Sequence, residues 1–171
     1  MRHAPPRWTI GIDPDTDKSG VALYRSDTQA LELHTLTLFD LIEYIRRTAT
    51  EAQRLGARLS IYVEAGYLIG TVWHASRKDS PAVAAAKGKS VGRNHEAARY
   101  IVRGIEHLGL TVHEVKPLRK LGGRKASHRL FCAITGYQGA RTNQETRDAG
   151  LIAYHYAAPP HRLTNEATPR P

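Results

Sequence analysis

The sequence predicts an α/β fold: a mixed five-stranded sheet, three antiparallel strands followed by two parallel ones, with helices on both faces. Two observations carry this expectation. Near the N-terminus three short β-rich runs are joined by tight turns, as an antiparallel meander requires. After them the apolar pattern switches to a helical period, and each later strand candidate is preceded by a helix-length segment, as a parallel crossover requires. The 171 residues suit one domain, expected over residues 1–158, with a polar, Pro-rich flexible tail over 159–171.

Each element has its own signal. Trp8 to Asp13 alternates, is rich in β-formers and stops at Pro14, which cannot donate to a ladder. Turn residues follow, then a second strand from Gly20 to Arg25 and a third from Leu31 to Leu36. Leu38, Leu41, Ile42, Ile45, Ala49 and Ala52 form a helical stripe, with Thr37 or Asp40 as cap and Gly56 closing it. Leu59 to Glu64 reads as the fourth strand. Arg93 to Leu108 reads as a second helix with Ala97, Ala98, Ile101, Ile105 and Leu108 inward, ended by Gly109. Leu110 to Val115 is the fifth strand, Lys125 to Ile134 a short helix, and Asn143 to Ala157 a longer one stopped by Pro159-Pro160. Ala65 to Gly92 shows no periodicity, and a loop that long in a compact domain is usually functional.

Composition narrows the function. Lys plus Arg number 25 against 16 Asp plus Glu, a net charge of +9 that suggests a polyanionic partner. A single cysteine, Cys132, excludes an internal disulfide and fits a reducing, cytoplasmic setting. It lies in an apolar helix run and reads as a core thiol. No apolar run approaches the ~18 residues of a membrane span, and the N-terminus has no apolar signal-peptide segment. Nine histidines form no compact pair or Cys-His cluster, so a structural zinc is a poor reading.

Four carboxylates stand where regular elements meet loops: Asp13 near the end of the first strand, Glu64 at the end of the fourth, and Glu145 and Asp148 on one face of the last helix. Singly, each has a structural reading: a turn opener, a solvated strand end, a complement to a helix dipole. Together they point elsewhere. Glu64 follows the apolar run Ile61-Tyr62-Val63, and Asp148 precedes Ala149-Gly150-Leu151-Ile152-Ala153, which suits close packing on a sheet. Acids on such faces are costly to bury without a partner. A divalent cation is the natural partner, and hard oxygen ligands suit Mg²⁺ or Mn²⁺.

Ile10-Gly11-Ile12-Asp13-Pro14, with Gly20-Val21-Ala22-Leu23 after it, resembles the first hairpin of the RuvC-type Holliday junction resolvases, which belong to the RNase H-like nuclease superfamily. Ile61-Tyr62-Val63-Glu64 resembles that family's second acidic strand, and Glu145-Thr146-Arg147-Asp148-Ala149 its C-terminal helix. The resemblance spans about residues 8 to 157. It departs at Asp15, where glycine is usual, at Glu145, where Asp or His is common, and at Gly150, where Ala or Asp is common. Asp15 and Asp17 read as turn residues.

The resemblance implies an RNase H-like fold, a homodimer, and an endonuclease of branched DNA, above all four-way junctions, acting in recombination and repair. It implies that Asp13, Glu64, Glu145 and Asp148 are catalytic and hold two Mg²⁺ or Mn²⁺ ions, with Asp13 bridging both. Such a pair neutralises the phosphodiester, lowers the pKa of a bound water and stabilises the leaving 3′ oxygen.

Two basic stretches flank the acids in chain order and are candidate DNA contacts: Arg77, Lys78, Lys87, Lys89 and Arg93, then Lys116, Arg119, Lys120, Arg124, Lys125 and Arg129, the second with Gly122-Gly123 inside it. Trp73, with Tyr67 and His74, offers stacking or wedging rings. Tyr100 and Val102 are candidates for an apolar dimer face. Three alternatives stay open: an RNase H-like nuclease acting on forks, flaps or RNA–DNA hybrids, a non-catalytic nucleic-acid-binding module of the same fold, and a basic structural protein of a particle.

Overall fold

A computed structural model describes residues 4–69, 78–118 and 125–157. The expectations placed on Trp73, His74, Arg77, Arg119, Lys120, Gly122, Gly123, Arg124 and the tail over 159–171 lie outside the described residues. The strands are β1 (Arg7–Asp13), β2 (Ser19–Arg25), β3 (Ala30–Leu36), β4 (Arg58–Glu64) and β5 (His113–Val115), and the helices α1 (Leu38–Arg54), α2 (Pro81–His107), α3 (His128–Thr135) and α4 (Gln144–Ala157). They form a sheet in the order β3-β2-β1-β4-β5. β1–β2 and β2–β3 pair antiparallel, β1–β4 and β4–β5 parallel, as expected. No described helix is long and apolar enough to cross a membrane.

Alternation along the strands sorts the two faces. Trp8, Ile10, Ile12, Val21, Leu23, Ile61 and Val63 point one way and are buried against Leu41, Ile45 and Ala52 of α1 and Ala98, Ile101 and Ile105 of α2. Each such side chain, fully buried, contributes roughly 1.5–3 kcal/mol relative to exposure. The other face carries small residues at its centre, where α4 crosses β1 and β2, with Tyr24, Leu31 and Leu33 beside them. Gly11 and Ala22 lie under Ala149 and Ala153 of α4 and Gly20 under Glu145 and Thr146, so helix and sheet meet almost backbone to backbone. α3 packs outside α4 through the fully buried Phe131. A Cβ at Gly150 would stand 2.7 Å from carbons of the Phe131 ring, which accounts for glycine there.

Caps set the helix ends. Thr37 accepts from the Asp40 amide and opens α1, while Gly56, at φ +67°, follows its end. Three boundaries differ from the sequence expectation by more than one residue. α2 starts at Pro81, not Arg93, with the Ser80 hydroxyl accepting from the Val83 amide and proline in the first turn. Ala65 to Gly92 is therefore not one long loop: Gly66–Leu68 is a single 3₁₀ turn and Pro81 to Gly92 is helix. Those added helical turns are almost wholly exposed, so no core-facing stripe marked them. β5 has three residues rather than six, and α3 begins at His128, leaving Lys125 in the connection before it.

Candidate active site

Register places the first two acids. Ile12 pairs with Val63 in the parallel β1–β4 ladder, and both face α1 and α2. The next residues, Asp13 and Glu64, are therefore neighbours at the two strand ends, on the face that α4 covers. Asp13 pairs in turn with Gly20 of β2. The backbone of Glu145, in the first turn of α4, lies directly over Gly20: a Cβ there would stand 2.1 Å from the Glu145 carbonyl oxygen. Two strand glycines thus bring Glu145 and Asp148 down to the strand ends that carry Asp13 and Glu64.

Electrostatics register the convergence. Burial pushes the Asp13 carboxyl up to about 8, the negative charges of Glu64, Asp148 and Glu145 push the same way, and the Lys125 ammonium opposes them. The Asp13 carboxyl therefore gives up its proton less readily than an ordinary carboxyl, in a site whose acids a cation would relieve. The donor chemistry suits a hard divalent ion, since every acid offers carboxylate oxygen. As they stand, no three Asp, Glu, His or Cys side chains among the described residues surround one point as a ready-made cation cluster. Asp148 is instead turned to protein partners. Its Oδ1 accepts from the Gln144 amide at 2.8 Å, and its Oδ2 lies 3.5 Å from Lys125 Nζ.

Gln144 and Arg147, which complete this arrangement, were not among the residues singled out from sequence. The i, i+4 pairing of Gln144 with Asp148 was a legible signal. Asp15 serves the β1–β2 turn, as expected: its carboxylate accepts from the Asp17 amide and its backbone exchanges bonds with the Ser19 hydroxyl. A cleft of about 790 Å³ lies between this turn and α2, lined by Asp15, Asp17, Arg93, His95, Arg99 and Tyr100 among others, and it contains none of the four acids.

The basic candidates divide. Lys78, Lys89, Arg93 and Arg129 are exposed, and Lys116 is half-buried just after β5. Lys87 is bound by both oxygens of Asp79, at 2.8 and 3.0 Å, which offsets its charge. Lys125 faces Asp148, so its first partner is the acidic site. The Tyr67 ring lies under the Arg99 guanidinium, 4.6 Å from it, meets His95 edge-on and donates its hydroxyl proton to Glu114. Val102 is in the core and offers no dimer face, whereas Tyr100 is exposed. Cys132 is half-buried rather than a core thiol, with its sulfur 3.6 Å from His128 Nε2.

No protein-family model matches the chain, and no curated protein does. Solved structures do. The structure of Thermus thermophilus RuvC aligns with a TM-score of 0.50 at 14% identity, over 88% of this chain and 93% of that one. T. thermophilus RuvC in complex with a Holliday junction substrate aligns with a TM-score of 0.50 at 16% identity, over 88% and 92%. The chain thus has the RuvC-like, RNase H-like fold that the sequence predicts.

Proposed function

We propose that this protein is a metal-dependent endonuclease of branched DNA that cuts four-way junctions as a homodimer. The observation that carries the reading is the meeting of four carboxylates from β1, β4 and α4 at one end of the sheet, three of them raising the proton affinity of the fourth. Asp13, Glu64, Glu145 and Asp148 would hold two Mg²⁺ or Mn²⁺ ions. Bound there, such ions supply charge neutralisation of the phosphodiester, an activated water and stabilisation of the leaving 3′ oxygen. The chain's own part is to preset the donors. Close packing of α4 fixes Glu145 and Asp148, and the β1–β4 register fixes Asp13 beside Glu64. The likeness to a RuvC solved with a Holliday junction supports the choice of branched DNA. Such an enzyme would act in the cytoplasm, at the nucleoid, in recombination and repair.

The test is cleavage of a synthetic four-way junction with Mg²⁺, beside linear duplex, a fork and an RNA–DNA hybrid. Paired symmetric nicks across the junction are expected, since two sites must act on one substrate. Cleavage of the fork or hybrid alone moves the protein to another RNase H-like specificity. Junction binding without cleavage under Mg²⁺ and Mn²⁺ makes it a non-catalytic binding module.

Contact with DNA has its own prediction. The exposed Lys89 and Arg93 stand one helical turn apart on α2, on the way to the acids in the chain. Replacing both by Ala is expected to weaken junction binding and to lower the slope of log K against log salt by about 2, at ~0.9 for each phosphate no longer neutralised. An unchanged slope removes both from the interface.

A further inference from the structure

Arg147 of α4 is fully engaged around the acidic site without belonging to it. Its Nε donates to the Ala126 carbonyl at 2.8 Å, its Nη1 to the Thr142 carbonyl at 2.7 Å and hydroxyl at 3.1 Å, and its Nη2 to the Gln144 side-chain oxygen at 3.0 Å. A side-chain amide has one accepting and one donating end. With its oxygen held by Arg147, Gln144 presents its NH₂ group to Asp148 Oδ1, at 2.8 Å. The other oxygen of Asp148 is 3.5 Å from the ammonium of Lys125, the chain neighbour of Ala126. The guanidinium therefore fixes one partner of Asp148, Gln144, directly, while the Lys125 stem stays exposed.

We propose that Arg147 is a positioning residue of the acidic site: it aims Asp148 through Gln144, and a divalent cation gains Asp148 by displacing the Lys125 ammonium. This rests on the reading of the four acids as a divalent-metal site. Lysine suits the exchange, being a flexible point charge on an exposed stem, whereas the planar arginine fork suits the fixed role.

The test is Mn²⁺ binding to the full chain, followed by the electron paramagnetic resonance of free Mn²⁺ during titration. Thermal midpoints and far-UV circular dichroism confirm that each variant is folded. Lys125→Met removes the competing cation and is expected to tighten Mn²⁺ at least about threefold. Gln144→Met removes the amide that aims Asp148 and is expected to weaken Mn²⁺ about three- to tenfold. Arg147→Ala is expected to weaken it in the wild-type background and to add little in the Gln144→Met background, because the two act in series. Arg147→Lys is expected not to restore binding. Unchanged affinity in both Lys125→Met and Gln144→Met overturns the proposal, even if Arg147→Ala fails to fold. So does an Arg147→Ala effect that persists in full without Gln144, which marks Arg147 as structural only. Wild-type protein that binds no Mn²⁺, or binds it as well after Asp13→Asn, overturns instead the metal-site reading on which the proposal rests.

Discussion

Asp13→Asn is expected to abolish junction cleavage, by about 10³-fold or more, and at the same time to stabilise the metal-free protein. The first effect follows from the proposed chemistry, in which Asp13 would help to hold the ions and a neutral amide is a poor substitute. Junction binding should survive, because the proposed phosphate contacts are basic residues and not Asp13. The second effect follows from the proton that Asp13 keeps. Its carboxyl is raised from an ordinary 3.8 to about 8 in the folded chain, by burial first and then by Glu64, Asp148 and Glu145. Between those values the folded state holds a proton that the unfolded state has released. Stability therefore falls as pH rises, by up to about 1.4 kcal/mol per unit from this group, and levels off above about 8. The contribution is fully present only below about 4. Asparagine cannot titrate, so this slope should disappear in the variant. Thermal midpoints from pH 5 to 9 in chelator give the measurement. Wild type should decline toward pH 8 while the variant stays flatter, with the gap between them widening. Parallel curves would show that Asp13 is not the group holding the proton.

The fold was readable because its signals are local. Alternation in β1 to β3, the helical stripe of α1 and the glycines after the helices each record a residue's immediate neighbours. The placement of Asp13 and Glu64 was also readable, since both end apolar runs. Pro81 to Gly92 escaped because an exposed helix buries no stripe, although Ser80-Pro81 is a start signal in its own right. The engagement of Arg147 escaped for another reason. Its bond to Ala126 joins residues 21 apart, and no pattern within one element reports such a contact. Gly11 and Gly20 stand between these cases. In the sequence they read as letters of a resemblance, while an interior strand glycine signals in general that another backbone comes close. Here that backbone is α4, and its approach is what assembles the acids.

Two glycines are expected to respond to the same substitution with opposite signs. At Gly20 an added Cβ would stand 2.1 Å from the Glu145 carbonyl oxygen and 2.4 Å from its carbon. Both are backbone atoms of a helix that also rests on β1 and β3, so no side chain can swing aside. Helix α4 must lift by about an ångström, and overpacking of that kind costs roughly 3 kcal/mol. Gly20→Ala is therefore expected to lower the thermal midpoint by about 6–12 °C, at ~2–4 °C per kcal/mol for a chain of this length. The same lift carries Glu145 away from Asp13, so cleavage should fall further than the unfolded fraction explains. At Gly88, inside α2, an added Cβ meets nothing within 4 Å, and the backbone there is ordinary helix. Gly88→Ala is expected to stabilise the chain by about 0.5–1 kcal/mol, because alanine loses less backbone freedom in a helix. Urea midpoints of the two variants decide the matter. If Gly20→Ala is as stable as wild type, α4 does not press on β2 and the acids are not brought together by this packing. If Gly88→Ala instead destabilises the chain, the space beside Gly88 is not open in solution.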